Sequence, residues 1–196
     1  MIESAEPLQP VEIRTVAVIG AGLAGRSFAL ACAVAGFHVV LEDVMPANLR
    51  RAEADFADLQ AGLAKGRLDF ASTVEDAVRE ADIAVDFVPD ELESKLEIFS
   101  MIDRMAPPKT ILCTPSYALS ITDLASCVYR PERCVAARGE LVPEVGGTQA
   151  AVRLLYPASI HEQVLTAVGD FLQALGLQVQ SEADPDVPML VKNSLR

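Results

Sequence analysis

The 196-residue chain has no tryptophan, two histidines, 5% aromatic residues and few cations: 16 Lys and Arg stand against 28 Asp and Glu, a net charge of -12. A surface so poor in cations repels phosphates, which excludes nucleic acid or an anionic membrane as the main partner. The acidic excess reads as a solvated surface that aids solubility, with an acidic docking face as the alternative. His38 and His161 do not cluster with the four cysteines, Cys32, Cys113, Cys127 and Cys134, and no CxxC pair occurs. No metal site is therefore expected. Cys32 in an apolar helical run and Cys113 at the end of an apolar strand read as small buried hydrophobes in a reducing compartment. No run approaches the ~20 uninterrupted apolar residues of a membrane span. The first residues, MIESAEPLQPVEIR, are acidic where a signal peptide is basic, so the expectation is a cytoplasmic protein with no membrane partner.

The sequence does have a core: 51% of its residues are apolar. Strand-length apolar runs at 14–20, 38–43, 67–70, 83–89, 110–114 and 133–137 alternate with helix-period segments at 23–36, 46–64, 74–80, 91–105 and 121–127. That alternation is the mark of stacked βαβ units in one parallel sheet. Gly36 closes the first helix, Pro107 and Pro108 stop the fourth, and Ser120 opens the fifth with a cap. Strands at 151–155 and 177–180, flanking an amphipathic helix from 159 to 175, extend the same sheet. Residues 1–12 read as a flexible arm, 13–182 as one domain, and 183–196 as the start of a truncated helical segment.

GAGLAG, residues 20–25, directly follows the first strand and opens the first helix. In that context the glycines are the dinucleotide fingerprint of a Rossmann fold. Gly20 allows the tight turn, Gly22 lets the backbone approach a pyrophosphate, and Gly25 lets helix and strand lie close. Leu23 and Ala24 stand at the helix N-terminus, whose N-H groups and dipole attract phosphate. The alternative is a strand-loop-helix with glycines needed for packing alone. Glu42 and Asp43 end the second strand, where a carboxylate grips the adenosine ribose and repels a 2′-phosphate, so NAD is expected over NADP. One of the two reads as a solvated charge. The expected class is α/β, a doubly wound, mostly parallel sheet of about eight strands.

From about residue 14 the chain resembles the NAD-binding domain of the 3-hydroxyacyl-CoA dehydrogenase family. The stretches that carry the resemblance are VAVIGAGLAGRSFALACAVAGFHVVLEDV, ADIAVDFVPDELESKLEIF, MAPPKTILCTPSYALSITDLA and RPERCVA. By this resemblance Asp43 is the ribose carboxylate, Asp86 stands where the family has a glutamate near the nicotinamide, and Lys95 matches a lysine lining the cofactor groove. An exposed helical lysine paired with Glu91 is the alternative for Lys95.

The family's reaction, as the resemblance implies it, is hydride transfer from a 3-hydroxyl carbon to NAD while a glutamate-oriented histidine takes the hydroxyl proton. Counting from the shared LSI places Arg138 at that histidine, Tyr117 at the catalytic serine, Pro115 at an asparagine of the same motif, and Arg153 at or near the glutamate. Asn193 matches a catalytic asparagine. A guanidinium has no lone pair to accept a proton, so Arg138 does not serve as the base. Tyr117 with its pKa lowered by Arg138 is one substitute, although the YxxxK partner is missing because residue 121 is isoleucine. Arg138 holding a carboxylate or phosphate of an acyl-CoA or other anionic small molecule is another, and an ion pair with Glu140 or Glu144 a third. Of the family's helical C-terminal domain, only the first turns are expected within these 196 residues. Three readings follow: an oxidoreductase with a rearranged site, a non-catalytic NAD-binding module, and a chain completed by a homodimer contact or a separate helical partner. His161 is expected near a helix start and His38 facing solvent.

Overall fold

Why the apolar runs become strands is seen first in Thr15–Ile19 (β1), whose central position leaves both faces covered. Around it run His38–Glu42 (β2), Arg67–Ala71 (β3), Ile83–Asp86 (β4), Ile111–Thr114 (β5), Cys134–Gly139 (β6), Ala151–Tyr156 (β7) and Gln178–Ala183 (β8). The order in the sheet is β3-β2-β1-β4-β5-β6-β7-β8. All neighbours are parallel except β6 and β7, which are antiparallel. The computed structural model describes residues 11–59, 64–142 and 150–185.

Among the described residues six α-helices cover the sheet: Leu23–Ala35 (α1), Pro46–Asp58 (α2), Val74–Val78 (α3), Leu92–Met105 (α4), Ile121–Ala125 (α5) and Glu162–Ala174 (α6). Alternate residues of β1 serve opposite layers, Val16 and Val18 packing with α1 and α6, and Ala17 and Ile19 with α3, α4 and α5. On α1 the buried stripe is Gly25, Phe28, Ala29, Cys32 and Ala33, the spacing of a helical face. Phe28 contacts Phe87 and Phe171 with ring centroids at 5.2 and 6.2 Å, which ties α1 to the end of β4 and to α6. Burying a ring such as Phe28 stabilises the fold by about 2–3 kcal/mol.

Local punctuation follows the sequence closely. Gly36 ends α1 at φ +114, a left-handed conformation that glycine adopts without a Cβ penalty. Thr73 and Ser120 cap α3 and α5 by accepting from the backbone N-H groups of Asp76 and Asp123. The second helix is shorter than the expected 46–64, because its last hydrogen-bonded turn closes before Leu59. Cys32 and Cys113 are buried, as their apolar settings imply. His38, expected to face solvent, is instead half-buried, with Nε2 2.8 Å from Asp69 Oδ2 on the neighbouring strand.

Candidate functional site

The strand order reverses between β1 and β4, whose neighbouring carboxyl ends are flanked by those of β2 and β5. An open α/β sheet binds its ligand in the crevice at such a point. The chain turns there through Gly20 at φ +98, and a Cβ on Gly25 would lie 1.9 Å from the Gly20 carbonyl oxygen. Only glycine at both positions permits the turn and the helix that rests against it. Gly22 is different: a Cβ there would meet nothing within 4 Å, because the loop faces open space.

Gly22 is also the N-cap of α1, and no side chain caps this helix or places an acid in its first turn. Thr73 and Ser120 cap α3 and α5, whose first turns also carry acids, whereas α2 shares the uncapped, acid-free start of α1. The first N-H groups of α1, around Leu23, Ala24 and Gly25, therefore present an unneutralised positive dipole end to that space. Asp43 holds the loop in place. Its Oδ2 accepts from Ala21 N at 2.8 Å and Asn48 Nδ2 at 3.0 Å, and its Oδ1 from Met45 N at 2.7 Å.

Two cavities flank the loop and share Phe87 and Val88 as their common wall. The first, about 730 Å³, is bounded by Gly20, Gly22, Glu42, Asp43, Ile98 and Met101 among others. The second, about 830 Å³, is bounded by Leu23, Ala24, Asp90, Pro115, Tyr117 and Gly139 among others. Two chambers joined across an uncapped helix start suit a two-part ligand with anionic groups at its middle.

Glu42 is not the solvated strand-end charge that the sequence suggests. It is 3% exposed, its Oε1 has no hydrogen-bond partner, and it borders the first cavity. Burial, and then the neighbouring charge of Asp43, push its carboxyl up to about 7, while the Gly20 backbone amide partly opposes them. The signal was present in principle: β2 lies between β1 and β3 with layers on both faces, so its last residue is not at an open edge.

Lys95 and Asp86 form a second buried feature. Lys95 is 1% exposed and Asp86 fully buried. Lys95 Nζ lies 2.7 Å from Asp86 Oδ1, 3.3 Å from the Asp86 carbonyl and 3.5 Å from that of Pro115. An exposed lysine paired with Glu91 is thus overturned. Lys95 lies three residues after Leu92 and four before Phe99, on the inward stripe of α4. Neither side chain lines the second cavity; the pair reaches it through the carbonyl of Pro115, which does.

Tyr117 is 69% exposed at the second cavity and its hydroxyl donates to the Gly139 carbonyl at 3.0 Å. Among the described residues, no hydrogen bond joins Arg138 to that hydroxyl. Its Nε donates to Ser116 O at 3.0 Å and its Nη2 to Leu119 O at 2.9 Å, so the guanidinium braces the loop between β5 and α5. Neither Glu140 nor a substrate position takes those two donors. Arg153 stands directly across from Arg138 in the β6-β7 register and lies 3.9 Å from Glu182. Asp90, which sequence reasoning missed, pins the same loop by accepting from the backbone N-H groups of Tyr117 and Ala118 at 3.0 and 3.4 Å. Burial alone would raise its carboxyl, but bonds from the Ser116 hydroxyl and those two amides hold it below the usual carboxylate range. Asn193 and Glu144 lie outside the described residues. Among the described residues, no group of three or more His, Cys, Asp and Glu is placed to hold a metal ion.

Residues 15–138 match the family model of the 3-hydroxyacyl-CoA dehydrogenase NAD-binding domain. The chain belongs to this family. A probable 3-hydroxybutyryl-CoA dehydrogenase of Bacillus subtilis is 33% identical over 138 residues, 64% of this chain and 48% of that protein. A 5-formyl-3-hydroxy-2-methylpyridine 4-carboxylate 5-dehydrogenase of Mesorhizobium japonicum is 27% identical over 191 residues, 92% of this chain and 60% of that protein. The chain thus spans about half to three-fifths of the length of these curated relatives. Among solved structures, a diketoreductase superposes with a TM-score of 0.75 at 25% identity, covering 94% of this chain and 69% of the other. The (S)-3-hydroxybutyryl-CoA dehydrogenase of Ralstonia eutropha shares the fold with a TM-score of 0.76, over 88% of this chain and 64% of its own.

The cofactor of this 3-hydroxyacyl-CoA dehydrogenase-type domain is NAD, and the residues present fit it. The open space beyond Gly22 and the uncapped start of α1 suit the pyrophosphate, and the two cavities suit the two nucleoside halves. No helix among the described residues is long and apolar enough to cross a membrane.

Proposed function

We propose that this chain holds NAD for hydride transfer to and from a 3-hydroxyacyl thioester or a related hydroxy acid, through a site whose catalytic residues have been replaced. The observation that carries this reading is the uncapped N-terminus of α1 set between two cavities. Gly20, Gly22, Leu23, Ala24 and Gly25 supply the phosphate cradle, Asp43 orients it and faces the ribose, and Asp86 with Lys95 keeps the floor under the nicotinamide half in place. Bound NAD supplies a hydride acceptor. On this reading Tyr117 is the hydroxyl nearest the reacting oxygen, Arg138 shapes the loop that carries it, and Asn193 belongs to the substrate side.

A second reading, an NAD-binding module without turnover, is favoured by the commitments of those same residues. Arg138 has two donors spent on Ser116 and Leu119, and the Tyr117 hydroxyl donates to the Gly139 carbonyl. A third reading is that a separate polypeptide supplies a helical domain and completes the site.

Calorimetric titration with NAD and NADH, followed by an assay of NADH-dependent acetoacetyl-CoA reduction, separates these readings. Turnover that Tyr117→Phe abolishes supports the first. Binding without turnover supports the second, and no binding of either nucleotide contradicts both.

A further inference from the structure

We propose that the outer edge of β8 is a self-association surface: two copies of this chain join β8 to β8 antiparallel, about a twofold axis at Ser181, and their sheets become one. The contact has β5, β6 and β7 between it and the crevice at β1 and β4, so it is independent of the dinucleotide site.

The backbone offers the surface. The ladder to β7 uses the even-numbered residues of β8: Gln178 N-H donates to the Ala150 carbonyl and Asp184 N-H to that of Tyr156. Pairing runs without a bulge from Gln178 to Ala183, so the N-H and C=O groups of Val179, Ser181 and Ala183 point away from β7, and no strand among the described residues takes them. Such a row of donors and acceptors is a template for another strand, and folded chains blunt it with Pro, Lys or a bulge. β8, QVQSEA, has none of these and a single charge, Glu182. At the opposite edge β3 carries Arg67 and Asp69, joined as an ion pair. β8 is also accessible: all its residues but Val179 are exposed, and Phe171 holds α6 inward against Phe28 and Phe37.

The side chains select a second copy as the occupant. In an antiparallel pair the outward residues of one strand face those of the other, so the axis passes through a single residue of β8. At Ser181 all the outward residues are used, with Val179 facing Ala183 of the second copy and Ser181 facing itself, for about six backbone hydrogen bonds. Glu182 then stands opposite Gln180 of the second copy, whose amide donates to the carboxylate, and symmetry repeats the pair. Arg153, across from Gln180 on β7 and 3.9 Å from Glu182, adds a cation to the same row. An axis at Glu182 sets two carboxylates against each other, and one at Gln180 leaves Ala183 beyond the end of the partner strand. One patch serves both copies, so assembly stops at the dimer. The contact is small beside the roughly 1,600 Å² of a standard interface, which makes association weak and concentration-dependent.

The test is sedimentation of the 196-residue chain over a range of concentrations, with thermal unfolding to confirm that each variant is folded. Wild type is expected to pass from monomer to dimer as concentration rises. Ser181→Lys sets two cations against each other on the axis while leaving the β7 ladder intact, and should weaken dimerisation by at least about tenfold. Register is read by cross-linking in a Cys127→Ser background, which removes the exposed native thiol. With Ser181→Cys the two Cα atoms lie about 5.5 Å apart, within the ~4.4–6.8 Å that a disulfide spans, and mild oxidation should link the copies. With Val179→Cys the two sites lie roughly 13 Å apart and should stay unlinked. If Ser181→Lys does not fold, the cysteine pair decides. A monomer at every concentration, a dimer that folded Ser181→Lys leaves unchanged, or Ser181→Cys that links no better than Val179→Cys overturns the proposal.

Discussion

Lys95 Nζ stands 2.7 Å from Asp86 Oδ1 with both side chains essentially cut off from solvent, which makes them the most deeply buried ion pair among the described residues. Burial raises the Asp86 carboxyl above its ordinary value, and the charge of Lys95, its hydrogen bond and that of Thr114 oppose the rise. Removing one partner leaves the other uncompensated. Lys95→Met is expected to destabilise the fold by about 3–5 kcal/mol in urea, and adding Asp86→Leu to recover much of the loss. Equal stability for the single variant and wild type would show that the pair is not coupled.

The two loop glycines separate folding from binding. A Cβ on Gly25 collides with the Gly20 carbonyl, so Gly25→Ala is expected to cost about 3 kcal/mol and to disrupt the loop. Gly22→Ala puts its methyl into open space at φ -61, which any residue adopts. Its unfolding free energy should change by less than about 1 kcal/mol, while NAD affinity falls by more than about tenfold because the methyl occupies the pyrophosphate position.

Stability should also carry the mark of Glu42 between pH 5 and 8. Its carboxyl titrates at about 7 in the folded chain against 4.5 for the ordinary group, so between these values the native state holds the extra proton. Its contribution is therefore complete below pH 4.5 and is lost as pH rises through 7, by at most about 3 kcal/mol. Asp82 and Asp90, held low by their partners, change stability only at more acidic pH. Chemical denaturation of wild type should show the fall across pH 5 to 8 and Glu42→Gln should not; parallel profiles would contradict the assignment.

Arg138 is expected to matter for the loop rather than for the cofactor. Arg138→Met strands the carbonyls of Ser116 and Leu119 and should cost about 1–3 kcal/mol of stability. NAD affinity should stay within about twofold of wild type. A large loss of NAD binding at unchanged stability would place the guanidinium in the cofactor site instead.

Much of this architecture is legible in the chain because its signals are local. The alternation of apolar runs gives the strands to within a few residues, Gly36, Thr73 and Ser120 mark helix ends, and GAGLAG between β1 and α1 announces the loop. What escaped depends on neighbours remote in sequence. Glu42 looks like a solvated strand end until β1, β3 and α3 close around it, and Lys95 looks like a surface lysine until β4 supplies Asp86. Arg138 likewise finds its partners about twenty residues away, on carbonyls that carry no signature in the sequence.

The most direct test of the central claim, that NAD lies across the uncapped start of α1, is calorimetric titration of NAD into the wild-type chain beside Gly22→Ala. Saturable binding at one site per chain is expected in wild type, and its loss in a Gly22→Ala protein that unfolds at the wild-type temperature. Equal NAD affinity in the two proteins, or none in wild type, would contradict it.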